Sequence, residues 1–171
     1  MTICYPDTMT VKRDIQRRIE DYVNQYCRAL EENFKKYSIR SYKTNIDKPT
    51  EVSKSYTSYY EEQLQKIEDG TANLYKFDYQ VGKKYIKVFN LQFDTFRGRN
   101  EYRAGSVTAF IDKNTGEVYK PASWKAPAKI VRFNLLIIAE RNYLLNPNNC
   151  DWAGGHLYLR WLPILINILF F

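Results

Sequence analysis

The stretch LYKFDYQVGKKYIKVFNLQFD, residues 74–94, decides the fold class, because its apolar residues recur with a period of two. This alternation is typical of strands with one buried face. One side of the first strand carries four residues: Tyr75, Phe77, Tyr79 and Val81. In the second strand the two sides carry different sets: Tyr85, Phe89, Leu91 and Phe93 on one, and Lys84, Val88, Asn90 and Gln92 on the other. The stretch therefore predicts two consecutive strands.

Two more strands are predicted after it, SVTAFID at 106–112 and EVYKP at 117–121. The intervening DKNTGE predicts a hairpin turn, since Asn114 and Gly116 tolerate positive φ. RGRNEYRAG, residues 97–105, is predicted to be a polar connection. Together the four strands indicate a small antiparallel meander.

Two helices are predicted before the strands. Residues 8–36 carry an apolar stripe at steps of three and four: Ile15, Ile19, Tyr22, Val23, Tyr26, Cys27, Leu30 and Phe34. SIRSYKTNIDKPT, residues 38–50, is predicted to be a linker, and a second helix is predicted from Thr50 to Asp69, ended by Gly70. Helices followed by strands predict an α+β domain, in which the long helix packs on one face of the sheet.

A further helix is predicted after the sheet, from about Pro127 to Leu145, because Pro is favoured in a first helical turn. HLYLRW, residues 156–161, is predicted to form a short closing strand. We divide the chain into a single domain at 1–160 and an apolar tail at 161–171. The apolar run is too short for a membrane span. Three explanations of the tail stay open: docking in the core, binding of a protein or membrane surface, and an altered gene end.

The positive charge of this 171-residue chain is concentrated in its middle. The net charge is +7, and the segment from Lys83 to Arg132 holds eleven basic and four acidic residues, a difference that equals the whole excess. A localised excess of this kind indicates a polyanion-binding surface. The alternative is a basic surface that serves solubility alone.

Several chemistries are disfavoured by the residues present. The chain has one histidine, His156, and it has no phosphate-binding glycine motif. DKNTGE begins like a calcium loop, but Ser123 stands where the loop needs its last glutamate. We therefore assign no catalytic residue, no metal site and no cofactor. The three cysteines and the lack of a signal-peptide pattern lead us to expect a reducing compartment.

A metal-dependent nuclease is the third function considered. Carboxylates that could hold Mg²⁺ against a phosphate are few, and a lysine accompanies them: Asp94, Glu101, Asp112 and Glu117, with Lys120. In a strand, Glu117 and Lys120 are at an odd offset and point to opposite faces. This spacing argues against one shared site.

Nucleic-acid binding needs only cations for phosphates and aromatic rings for bases. The candidate binding residues are basic, with one tryptophan among them: Lys83, Lys84, Lys87, Lys120, Trp124, Lys125, Lys129 and Arg132. A helix beginning near Pro127 would add backbone N–H donors to a phosphate. The alternative is that Trp124 packs under the sheet edge while the lysines are merely solvated.

GSVTAFIDKNTGEVYKPASWKAPAK, followed by VRFNLL, resembles a small family of uncharacterised bacteriophage proteins. The matching segments are residues 110–129 and 154–159. The resemblance implies a viral origin and the cytoplasm of an infected bacterial host. It implies no activity. The basic and aromatic residues lead us to expect a non-enzymatic protein that binds nucleic acid through the 120–132 segment and the basic strand at 83–87. The alternative is a protein-interaction role through the apolar tail, either virion-associated or inhibiting a host factor. The oligomeric state stays open.

Overall fold

The computed structural model describes residues 8–158, and its longest element is the first helix, α1, at Thr8–Asp47. The helix continues through most of the segment predicted to be a linker. Ser38 is buried there, and the Tyr42 ring stacks on Tyr60 with centroids 5.9 Å apart. Pro49 then disfavours helical backbone at the residue before it. Tertiary packing therefore extends the helix beyond its apolar stripe.

The second predicted helix is divided in two, α2 at Glu51–Lys54 and α3 at Thr57–Glu68. Thr50 caps α2: its hydroxyl accepts from the Ser53 N–H at 3.1 Å, and the Ser53 hydroxyl accepts from the Thr50 N–H at 2.7 Å. Gly70 ends this region with a φ of 72°, in the left-handed region that favours glycine.

Five antiparallel strands form one sheet in the order in which they occur in the chain. They are β1 at Lys76–Val81, β2 at Tyr85–Asp94, β3 at Glu101–Asp112, β4 at Glu117–Pro121 and β5 at Pro127–Asn134. The α+β prediction is confirmed. Strand β3 begins earlier than predicted, within the supposed connection, because Glu101 pairs with Asp94 at the far end of β2.

The hairpin turn between β3 and β4 lies where the sequence predicted it. The Asp112 carboxylate accepts from the backbone N–H groups of Asn114 at 2.9 Å and Thr115 at 3.3 Å. Gly116 has a φ of 74°, which a residue with a Cβ adopts only at a cost. The aspartate therefore closes the turn.

The prediction of a helix from Pro127 to Leu145 is wrong for its first part, which is strand β5. In this register Phe133 lies opposite Val118 and enters the core. The β4–β5 loop at 122–126 is closed by the Ala122 N–H, which donates to the Ala126 carbonyl at 3.0 Å. Only α4, at Ile138–Leu144, is helical. Among the described residues, no helix N-terminus therefore lies beside Lys129 to bind a phosphate.

The two faces of the sheet differ in what covers them. The inner face packs against the apolar stripe of α1, and its core residues are Phe77, Ile86, Val88, Ala109, Ile111, Val118 and Phe133. Alternation sends the intervening side chains to the outer face, where Lys87 of β2 lies beside Phe110 of β3, and Phe110 beside Tyr119 of β4. The core therefore takes the Val88 side of β2 and leaves the Tyr85 side outward.

The described chain ends in a 3-10 helix at Gly155–Tyr158 rather than in a strand. Residues 161–171, the predicted tail, lie outside the described residues. Cys27 and Cys150 are buried free thiols, and burial raises the pKa of each to about 12. Among residues 8–158 no helix is long and apolar enough to span a membrane.

Candidate nucleic-acid interface

An open groove of about 470 Å³ lies on the outer face beside the β1–β2 turn. We call it the lysine groove, and define it by its lining residues: Gln80, Val81, Gly82, Lys83, Lys84, Tyr85, Lys87, Phe110, Trp124 and Lys125. Five of the eight predicted binding residues line it. Segments far apart in sequence therefore meet in one basic and aromatic surface.

Local backbone geometry places the lysines along one end of the groove. The Gly82 N–H donates to the Tyr85 carbonyl at 2.9 Å, which closes the turn that carries Lys83 and Lys84. A Cβ on Gly82 would come within 2.9 Å of that carbonyl oxygen, so the close approach requires glycine. Alternation along β2 then brings Lys87 to the same face as Tyr85.

Trp124 lies on the outer face and not in the core. Trp124 is 43% exposed, and its ring centroid lies 6.2 Å from that of Phe89. The Lys87 Nζ lies 4.6 Å from the Trp124 centroid, a distance at which a cation is attracted to an indole. Trp124 is thus held in place by neighbours while much of its surface stays accessible to a ligand.

One carboxylate, that of Asp112, offsets part of the charge of the lysine groove. Its Oδ2 lies 3.8 Å from the Lys84 Nζ, and the aspartate itself is buried. A hydrogen bond with the adjacent Tyr85 side chain raises the pKa of the Lys84 ammonium above its ordinary value, and the charge of the Asp112 carboxylate adds a smaller effect in the same direction. Among the described residues, no carboxylate lies within 4.0 Å of the ammonium groups of Lys83, Lys87 and Lys125. These three charges are available to an anion.

The other three predicted binding residues lie outside the lysine groove. The Lys120 Nζ lies 3.6 Å from the ring centroid of Tyr158, in the 3-10 helix. Lys129 is exposed on the edge strand β5. Arg132 is half-buried at the point where the pairing of β4 with β5 shifts its register. Its Nε is buried without a hydrogen-bond partner among residues 8–158. The structure does not bring these three residues to the groove.

The four carboxylates considered for a nuclease lie in two pairs at opposite ends of β3: Asp94 lies opposite Glu101, and Asp112 and Glu117 flank the hairpin turn. Asp94 accepts from the Phe96 N–H at 2.8 Å and from the Arg99 guanidinium at 3.0 Å, and these contacts lower its pKa. Glu117, beyond the other end of β3, accepts from the Tyr119 hydroxyl at 2.7 Å. No group of three or more potential metal ligands occurs among residues 8–158.

Comparison with known proteins gives a family. The model of a family of unknown function, DUF7717, matches residues 3–159. The chain belongs to this family. No curated protein and no solved structure matches the chain. The family carries no assigned activity, so a function for this DUF7717 protein has to be argued from its own geometry.

The single histidine of this DUF7717 protein is built into the core. His156 is 3% exposed, its Nδ1 accepts from the Asp151 N–H at 3.0 Å, and its Nε2 lies 2.6 Å from the Tyr26 hydroxyl. Since Nδ1 is an acceptor, the proton of the neutral ring is on Nε2. Burial lowers the pKa of His156 to about 4. The neutral ring therefore joins α1 to the end of the described chain.

Sequence reasoning missed Tyr85 and Phe110 as members of the site. The signal was present in β2 of this DUF7717 protein, because Tyr85, Lys87 and Phe89 alternate onto one face. Phe110 could not be found in this way, since it enters the groove through its pairing with Lys87.

Proposed function

We propose that this protein binds nucleic acid without catalysing a reaction, as a small phage protein, and that the lysine groove is the binding surface. The observation that carries the proposal is the convergence of four lysines with Trp124 and Tyr85 in one groove. Cations on a polyanion-binding surface release counterions from the phosphates, which favours association.

A single strand fits this surface better than a duplex. Bases of a single strand are free to stack on aromatic side chains, and stacking contributes about 1–3 kcal/mol per base. Trp124 offers a partly exposed ring beside Lys125 of the same loop. A base stacked on Trp124 would leave its flanking phosphates close to Lys87 and Lys125. DNA and RNA share this chemistry.

The test is the affinity of the full chain for a fluorescein-labelled 20-nucleotide single strand at low salt, measured by fluorescence anisotropy. The variant carries Lys87→Glu and Lys125→Glu, which reverses two charges in the lysine groove. The matched control carries Lys43→Glu and Lys48→Glu, which reverses the same charge on two exposed residues, one just before the last turn of α1 and one just after the helix ends.

We expect the groove variant to bind at least tenfold more weakly, and the control to lose much less. Equal losses would show that net charge alone is responsible and would reject the groove as the site. A Lys129→Glu variant adds a boundary test, since Lys129 is basic and exposed but lies outside the groove. Its affinity should resemble that of the control.

A protein-interaction role is the second candidate, and a specific observation favours it. The helical layer exposes apolar and aromatic side chains that a partner could cover, namely Val52, Tyr56 and Tyr59. Deleting residues 161–171 and, separately, changing Tyr56 and Tyr59 to Ser discriminate the two roles. Loss of a partner protein from a pull-down with unchanged single-strand affinity would support the interaction role over nucleic-acid binding.

A further inference from the structure

A second concave site lies on the α1 side of the molecule, between α1 and the segment that follows α4. It has a volume of about 310 Å³, at the lower end of the range for small-molecule sites. We call it the α1 pocket, and define it by its lining residues: Asn33, Lys36, Tyr37, Arg40, Pro147, Asn148, Asp151 and Trp152. It shares no residue with the lysine groove.

A part-buried asparagine fixes the two walls of the α1 pocket to each other. The Asn33 Nδ2 donates to the Pro147 carbonyl at 2.8 Å, and its Oδ1 accepts from the Trp152 N–H at 2.9 Å. Lys36 adds a contact from its Nζ to the Asn148 Oδ1 at 3.0 Å. The amide of Asn33 therefore holds both ends of the 147–152 segment against one helix face, so the concave shape is formed before any ligand binds.

Aromatic rings form the inner part of this pocket. The Trp152 centroid lies 5.2 Å from that of Tyr37, at an interplanar angle of 46°. Phe34 and Tyr75 meet Trp152 edge to face, with centroids 4.9 and 5.8 Å away. These contacts hold the indole in one orientation, while Tyr37 is half exposed and accessible. A planar ring can pack against such a pair at little cost in side-chain entropy.

The charges at the rim of the α1 pocket favour an anion. Lys36 uses one of its three donors on Asn148, and Arg40 makes no side-chain hydrogen bond or ion pair within residues 8–158. The lining carboxylate, that of Asp151, is already occupied: its two oxygens accept from the N–H groups of Ala153 and Gly155, at 2.9 and 3.0 Å. Lys36 and Arg40 therefore line the pocket with donors to spare, whereas the carboxylate oxygens of Asp151 are bonded to the backbone of the turn that follows it.

We propose that the α1 pocket binds a small aromatic anion, a planar ring that carries a phosphate, of the size of one nucleoside monophosphate. The ring packs against Tyr37 and Trp152, and the phosphate contacts Arg40 and Lys36. The guanidinium of Arg40 suits a phosphate because it offers paired N–H donors. This site is independent of the proposed nucleic-acid binding, since α1 covers the inner face and the lysine groove lies on the outer one.

The test is an NMR titration of the full chain with AMP, with phenyl phosphate, and with adenosine and inorganic phosphate as separate half-ligands. AMP and phenyl phosphate distinguish a nucleotide from a simpler aryl phosphate as the source of the chemistry. Saturable movement of the Trp152 indole N–H resonance with either compound, about tenfold tighter than with either half-ligand, supports the proposal.

Four variants locate the binding. Arg40→Ala and Tyr37→Ala should each weaken AMP binding about tenfold, whereas Lys43→Ala, three residues further along α1, should not change it. The variant with Lys87→Glu and Lys125→Glu should bind AMP as the wild type does. Three outcomes would each overturn the proposal. They are no saturable shift of the Trp152 resonance up to about 10 mM ligand, full affinity for AMP in Arg40→Ala, and loss of AMP binding in the lysine-groove variant.

Discussion

The inner and outer faces of the sheet are made by the same strands but have different surroundings. Ile111 and Val118 are fully buried on the inner face against the apolar stripe of α1. On the outer face, Lys87 and Tyr119 are half-buried, and Trp124 is exposed enough to contact a ligand. One covered and one solvated face is common in antiparallel sheets. The solvated face here is aromatic as well as charged.

That difference indicates which residues serve the fold and which are free to serve binding. The inner-face cluster is continuous with α1, α4 and the 3-10 helix. On the outer face, the ring of Tyr85 contacts those of Phe110 and Tyr119 at centroid distances of 6.2 and 5.8 Å, and Trp124 contacts Phe89. Losing an inner-face side chain should therefore unfold the protein more readily than losing an outer-face one.

The largest expected effect on stability comes from truncating the inner face. Ile111→Ala should lower the free energy of unfolding by about 2–5 kcal/mol, because Ile111 is fully buried and a cavity is left behind. Urea denaturation measures this change. Ile130→Ala is the matched control, since Ile130 is largely exposed and its truncation should change stability by no more than about 0.5 kcal/mol. Equal losses in the two variants would contradict the division into faces.

A smaller effect is expected from protonating the inner core at His156. The pKa of this histidine is about 4 in the folded chain and about 6.5 when unfolded, so the unfolded chain binds the proton more tightly. Stability is therefore full above pH 6.5 and falls as the pH drops towards 4, by about 2 kcal/mol at pH 5. Urea denaturation at pH 7.5 and 5 measures the loss.

Two features sharpen the pH experiment. His156 is the one histidine of the chain, so His156→Gln should abolish most of the dependence between pH 7.5 and 5. Burial raises the pKa of Glu140, which acts in the opposite direction because the folded chain then binds its proton more tightly. Equal stability of the wild type at pH 7.5 and 5 would contradict a buried neutral imidazole.

The smallest expected effect on stability comes from the outer face. Trp124→Ala should lower the free energy of unfolding by about 1 kcal/mol or less, because the ring is only partly buried. The same substitution should weaken single-strand binding about fivefold to a hundredfold, through the lost stacking. Denaturation and anisotropy on one preparation give both numbers. A large loss of stability with unchanged affinity would place Trp124 in the fold instead of the site.

Much of the fold could be predicted from the sequence, where local periodicity decided it. The helical stripe from Ile15 to Phe34 and the alternation in β1 and β2 are such signals. Strand β5 could not be predicted, because Ile130, Phe133 and Ile137 are also spaced as on one face of a helix. Pairing with β4 decides between the two structures, and that pairing is non-local.

The candidate site was predictable by composition but not by position. Lys87 and Trp124 both belong to the basic middle of the chain. The Lys87 Nζ comes within 4.6 Å of the Trp124 ring centroid because the β4–β5 loop reaches across the outer face of the sheet to β2. Lys120 lies in β4 and Lys129 in β5, and the pairing of these two strands keeps both lysines out of the groove although they are near Trp124 in sequence. Proximity along the chain therefore misassigned the basic residues that the sheet separates.

The most direct test of the central claim is the salt dependence of single-strand binding. Each phosphate contact contributes about −0.7 to the slope of log Kobs against log salt concentration. Changing Lys87 and Lys125 to Gln should therefore make the slope shallower by about 1.4, whereas changing Lys43 and Lys48 to Gln should leave it unchanged. Identical slopes for both variants and the wild type would contradict a phosphate-binding outer face.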